Sequence, residues 1–211
     1  ILDKIESKAP LTGASGEVER TLTYGDFAIL VPQNNDFDAI EYGLDKRKIP
    51  YSVFAGRGFL NRQEIIDIEN VLRFLSNNLD SHSLLGILRS PLFAVSDDIL
   101  HEVVTASLKK PLWQAVQNSR DLLQPGYENL AKAVTTLKHL IVDSASLNLA
   151  ELVRKIIIRT NLELVHLSGP KGIQRARNLF KIVSMARDYE QLSCGEFANQ
   201  ISLMRQFNIK Q

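Results

Sequence analysis

Apolar residues recur at helical spacing along most of the chain, with one early exception. Ile1, Leu2 and Ile5 read as a helix end, broken by Pro10 and a polar loop through Thr12, Gly13, Ser15 and Gly16. Next comes the exception, Asp26-Phe27-Ala28-Ile29-Leu30-Val31, a short apolar run between Gly25 and Pro32. A run that short, bounded by breakers, predicts a buried strand. Asn34, Asn35 and Asp36 offer caps for a helix carrying Phe37, Ile40 and Leu44, which Ile49-Pro50 stops before a second strand over Tyr51–Phe54. Strand, helix and strand with short links favour a right-handed parallel crossover.

From Glu64 the pattern is helical only. Ile65, Ile68, Leu72 and Leu75 share a helix face, with Asn61 and Glu64 in a capping N-x-x-E spacing. Asp80, Ser96 and Asn148 are further cap candidates, and Pro111 suits a first helical position before Trp113. Leu130, Val134, Leu137 and Ile141 mark another helix. Ser168-Gly169-Pro170 precedes a long one whose stripe is Ile173, Ala176, Phe180 and Val183, and Phe197, Ile201 and Met204 mark the last. The expected fold is mainly α: a small α/β piece with a partial parallel sheet, then a domain of seven or eight helices. The boundary falls at the composition shift near Gly56, giving parts 1–56 and 57–211.

Three stretches carry a family resemblance: "YGDFAILV", "IPYSVFAGRGF" and "NRQEIIDIENVLRFL". They resemble motifs IV and IVa of UvrD-like superfamily-one DNA helicases. "LRSPLFAVSDDIL" and "GPKGIQRARNLFKIVSMARDYE" are similar to the AddA/RecB branch, the helicase–nuclease subunits of double-strand-break processing. The resemblance implies a RecA-like start of motor domain 2A in residues 1–56 and a helical domain 2B insertion in 57–211. Starting at Ile1 rather than Met fits a piece of a longer chain. ATP and Mg are then expected for the intact protein, which would translocate on DNA. No cofactor and no catalysis are expected of this fragment alone.

One departure bears on ATP. The resembling helicases carry an aromatic residue after the motif IV strand that stacks on adenine, then an arginine that reaches the γ-phosphate. Val31 and Pro32 stand here, and neither side chain stacks as a ring or donates to a phosphate. Gln33 is the neighbour left to approach the nucleotide. Motif IVa keeps its aromatic, base and acids in Phe59, Arg62, Glu64 and Asp67. Packing by Phe59, capping by Asn61 and pairing of Arg62 with a nearby acid account for the motif better than a functional role does. UvrD itself holds duplex DNA on a Gly-Ile-Gly element; Leu92-Phe93-Ala94-Val95 takes that place here, so that anchoring is not expected.

Charge adds one feature. The chain of 211 residues has a net charge of +1, so no basic footprint covers it as a whole. Yet Lys171, Arg175, Arg177, Lys181 and Arg187 fall in a stretch without an acid, as phosphate contacts require. These five are the DNA-binding candidates, against the alternative of a solvated helix face. There is no G-x-x-x-x-G-K-[ST] phosphate loop, and the four histidines have no metal-ligand spacing with Cys194. The single cysteine excludes an internal disulfide and fits a reducing, cytoplasmic compartment. No apolar run is long enough to suggest a membrane partner. Expected partners are single-stranded or forked DNA, the remaining helicase domains and a second helicase–nuclease subunit. Two other readings stay open: an ATP-inactive helicase-like scaffold protein, and a helical protein-interaction module.

Overall fold

In the computed structural model the described residues are 2–12, 18–31, 37–51, 59–107, 110–118, 124–167 and 172–209. They fall into two compact units, Ile1–Gly56 and Arg57–Gln211.

The first unit opens with helix α1 (Leu2–Glu6) and an antiparallel pair, β1 (Pro10–Thr12) and β2 (Val18–Thr21). Pro10 pairs with Thr21 and Leu11 with Arg20, with an irregularity before Thr12. Pro10 is thus the first residue of an edge strand, where its missing N–H costs nothing, and not the start of a loop. The strand expected over Asp26–Val31 does not form among the described residues. Asp26 instead closes a 3-10 turn over Tyr24–Asp26. Its carboxylate accepts from the Thr23 amide at 2.7 Å, from the Thr23 hydroxyl at 2.9 Å and from the Arg20 guanidinium. Those bonds, the Arg20 one foremost, hold the Asp26 carboxyl well below the usual carboxylate range. Phe27 to Val31 run on without a ladder partner, and Leu30 is 93% exposed. The described strands therefore make an antiparallel pair, not a parallel crossover. Tyr51 carries no strand, and residues 52–54 lie outside the described residues, as do the cap candidates Asn34, Asn35 and Asp36.

Helix α2 (Phe37–Lys46) ends as expected before Pro50. Lys48 adopts a left-handed φ of 54°, and the Ile49 amide donates to the Leu44 carbonyl at 3.0 Å. Leu2, Ile40, Leu44 and the buried Ile49 line an open groove between α1 and α2.

Among the described residues the second unit is wholly helical: α3 (Gln63–Ser76), α4 (Ser81–Arg89), α5 (Asp97–Ala106), α6 (Leu112–Gln117), α7 (Glu128–Ser144), α8 (Leu149–Thr160), α9 (Leu162–Leu167), α10 (Gly172–Asp188) and α11 (Cys194–Ile209). Helix α3 is the axis of this bundle. It packs against α4, α7, α8, α10 and α11, and buries Ile65, Ile68, Val71, Leu72 and Phe74. Phe74 meets Trp113 of α6 edge to face, with ring centroids 5.1 Å apart. Three caps fall where the sequence places them. Asp80 accepts from the Ser83 amide at 3.0 Å, Ser96 from Ile99 at 3.5 Å and Asn148 from Glu151 at 2.9 Å. Two expectations shift. Pro111 stands at the N-cap of α6, one residue before the helix. Asn61 does not cap α3, whose N-cap position is Arg62, without a side-chain bond.

A third expectation holds for Ala176 and Val183 and fails for Ile173 and Phe180. Ala176, Leu179, Ile182, Val183 and Ala186 form the inner face of α10, while Ile173 and Phe180 stand 67% and 66% exposed. Helix α10 carries apolar residues on both sides, and packing selects the side away from those two.

Candidate nucleic-acid interface

The site is built where the basic helix α10 lies against the first turn of α3. Glu64 and Asp67 point inward from α3, one turn apart, and both are buried. A buried carboxylate needs donors. Asn178, buried on α10, gives its amide to Glu64 Oε1 at 2.6 Å and accepts from Gln174 Nε2 at 3.2 Å. Asp67 accepts from Gln63 Nε2 at 2.7 Å through Oδ1, while its Oδ2 has no protein partner. Burial pushes the Asp67 carboxyl up to about 6; the Gln63 bond and Arg175 oppose this, and the Glu64 charge adds to it.

Arg175 turns into the same cluster. Its Nη1 lies 3.0 Å from Nδ1 of His166 on α9. A guanidinium only donates, so Nδ1 accepts and the neutral ring carries its proton on Nε2. Burial holds the His166 pKa below its ordinary value, consistent with that neutral form. Lys181, one face over, sets its ammonium 4.4 Å from the centre of the Phe59 ring, a cation–π contact. Burial there lowers the Lys181 pKa.

A second set of charges fixes α11 to α3. Glu69 accepts from Arg73 at 3.1 Å, from the Ser202 hydroxyl at 2.6 Å and from Arg205 at 2.5 Å. Arg205 also donates to the Leu60 carbonyl at 2.9 Å. The segment leading into α3, which holds Phe59 and Arg62, is thereby held from two sides.

The structure divides the expected site residues into groups. Phe59, Glu64, Asp67, Arg175 and Lys181 come together where α3 and α10 meet. Arg62 is half-buried at the α3 N-cap, its carbonyl accepting from the Ile65 amide at 3.0 Å. Arg177 and Arg187 are exposed on the outer side of α10. Gln33 and Lys171 lie outside the described residues. His166, Gln174 and Asn178 belong to the cluster but show no motif. Only the unusual placing of a polar residue at Asn178, within an apolar helix face, marks one of them in sequence.

The segment in place of Gly-Ile-Gly is part of the core. Leu92, Phe93 and Val95 are buried. Their amides and that of Ala94 donate within the protein: Leu92 to the Ser90 hydroxyl, Phe93 and Ala94 to the Ser90 carbonyl, Val95 to the Leu88 carbonyl. These four N–H groups have nothing left to offer a phosphate. Among the described residues no three His, Cys, Asp or Glu side chains are grouped to hold a metal, and no helix is long and apolar enough to cross a membrane. Chemically the arrangement presents fixed positive charge on a rigid helix, which suits holding a polyanion.

Comparison with known proteins agrees with the resemblance. The family described as UvrD-like helicase C-terminal domain matches residues 1–208. The chain is 29% identical over 200 residues to an ATP-dependent helicase/nuclease subunit of Lactobacillus acidophilus, covering 92% of this chain and 16% of that protein. It is 29% identical over 180 residues to DNA helicase II of Haemophilus influenzae, covering 78% of this chain and 24% of that one. The corresponding ATP-dependent helicase/nuclease subunit of Listeria innocua is 24% identical over 194 residues, again spanning 16% of the relative. The chain thus corresponds to a quarter or less of these relatives' lengths.

Proposed function

The chain belongs to the UvrD-like helicase C-terminal domain family, and from this we propose that it is the DNA-contacting accessory region of an ATP-dependent DNA helicase of the helicase–nuclease type. In this reading residues 1–56 begin the second motor domain, and residues 57–211 are the helical 2B-like insertion. The intact protein hydrolyses ATP with Mg, moves on single-stranded or forked DNA, and works in the cytoplasm in double-strand-break repair and recombination. Its protein partners are the rest of its motor and a second helicase–nuclease subunit. Gln33 is the residue of this chain closest in sequence to the expected nucleotide contact.

One observation supports the DNA-contacting role above the others: Asn178 and the buried Glu64 lock α10 onto α3 at 2.6 Å while Arg177 and Arg187 stay on the outside. Arg175 and Lys181 then act indirectly, by fixing the helix. The five bases from Lys171 to Arg187 divide into two that face out, two that position, and Lys171 outside the described residues. Val31 and Pro32 favour a second reading, in which the intact protein keeps the fold as a scaffold and has lost ATP hydrolysis. DNA-stimulated ATP hydrolysis by the intact protein separates the two.

The experiment for the DNA role is a titration of this chain with labelled single-stranded and forked DNA across a salt series. Binding that weakens linearly in log K against log salt is expected, because each neutralised phosphate releases counterions. No binding at low salt contradicts the reading and favours a helical protein-interaction module.

A further inference from the structure

We propose that the outer face of α10 is a stacking site for unpaired bases, with Phe180 as the platform and Arg177 and Arg187 as its phosphate contacts. This deepens the DNA-contacting role above and rests on it. Ile173, Arg177, Phe180, Ser184 and Arg187 follow one another at steps of four, three, four and three residues, so at 100° per residue they form one stripe. All five are exposed. Phe180 is 66% exposed, with Ile173 67% exposed on the same stripe, and it stands between two arginines.

The occupant follows from charge and shape. The stripe itself holds two arginines and no acid, so it attracts an anion and disfavours a basic partner. A guanidinium meets phosphate oxygens with paired donors. Ten residues of helix set Arg177 and Arg187 about 15 Å apart, enough for more than one backbone phosphate. Phe180 lies less than one turn from Arg177, where a base attached to a held phosphate can lie on its ring. Every base has such a face, so the contact is tolerant of sequence but requires unpaired bases. A duplex keeps its bases stacked on each other and gains nothing from Phe180. Protein partners also use arginine and aromatic residues, but they are not selected by unpaired bases.

The probe is labelled oligo-dT against a duplex of the same length, titrated with this chain by fluorescence anisotropy. Phe180→Ala is expected to weaken oligo-dT binding about tenfold, the scale of one lost base stack, and to leave the duplex unchanged. Phe180→Tyr is expected to restore oligo-dT binding. Because Phe180 is exposed, the helical circular dichroism should be the same for all three proteins. Arg177→Ala with Arg187→Ala is expected to weaken both DNAs. If the arginine pair matters and Phe180→Ala binds oligo-dT as the unchanged chain does, the stacking site is wrong and the DNA-contacting role stands. If neither change alters binding, the outer face of α10 does not meet DNA and the stacking site is wrong; if the unchanged chain binds no DNA at low salt, both fail.

Discussion

Asn178 of α10 gives its amide to the carboxylate of Glu64, buried in the first turn of α3, across 2.6 Å and 114 positions of sequence. A charge at that depth, with its donor supplied by another helix, ties the position of the basic helix to the motif-bearing one. That tie decides which side of α10 is left to face a partner.

Asn178→Ala therefore removes the donor and leaves the carboxylate buried. The expected loss is about 2 kcal/mol or more of unfolding free energy, the scale of a hydrogen bond to a charged group. Urea denaturation of Asn178→Ala, Glu64→Gln and the double variant makes a cycle. A coupling close to zero would mean the pair is not what seats α10.

Asp67 gives a pH signature. Its folded-state pKa of about 6 stands above its ordinary 3.8, so the folded form holds the proton more tightly. Its contribution to stability is then fully present below about pH 4 and is lost as pH rises through 6. In Asp67→Asn that decline between pH 4 and 6 should be gone, and the variant should be more stable by roughly 1–3 kcal/mol at pH 7, from 1.36 kcal/mol per unit. His166 works in the other direction, because its lowered pKa costs stability as the medium turns acid, but both proteins carry it. Glu64, Gln63 and Arg175 are likewise common to both. Urea midpoints at pH 4, 5, 6 and 7 measure the difference; parallel curves would contradict the buried, raised carboxyl.

Two glycines inside helices should respond with opposite signs. A Cβ at Gly43 of α2 meets nothing within 4 Å, so Gly43→Ala should gain about 0.5–1 kcal/mol from helix propensity alone. At Gly172, the first residue of α10, a Cβ would run into the Leu167 carbonyl group, 2.8 Å from its carbon and closer still to its oxygen. Gly172→Ala should cost about 1–3 kcal/mol, as overpacking does. Thermal melts of both variants read the contrast directly, and a gain at Gly172 would show that the α9–α10 corner has room.

These residues also show how far local pattern reaches. Asp80, Ser96 and Asn148 were legible as caps because a cap is local: an oxygen reaches an amide three residues on. Asn61 has the same spacing, yet α3 starts after Arg62 and Glu64 turns inward to a partner on α10 that no local pattern reveals. Asp26 reads as the edge of an apolar run, but its carboxylate is engaged by Arg20 and Thr23, a local arrangement the run concealed. In α10 the periodicity placed a helix correctly and placed Ala176 and Val183 in the core, but counted Ile173 and Phe180 with them. Apolar residues lie on both sides of that helix, and only tertiary packing decides between them. The basic stretch was legible as charge; that Arg175 and Lys181 turn toward His166 and Phe59 while Arg177 and Arg187 face out was not.

The most direct measurement of the central claim is the salt dependence of DNA binding by this chain with and without its two outward arginines. For Arg177→Ala with Arg187→Ala the slope of log K against log salt on single-stranded DNA should flatten by about 1.4, two contacts at roughly 0.7 each. An unchanged slope and affinity would mean that the outer face of α10 does not meet DNA.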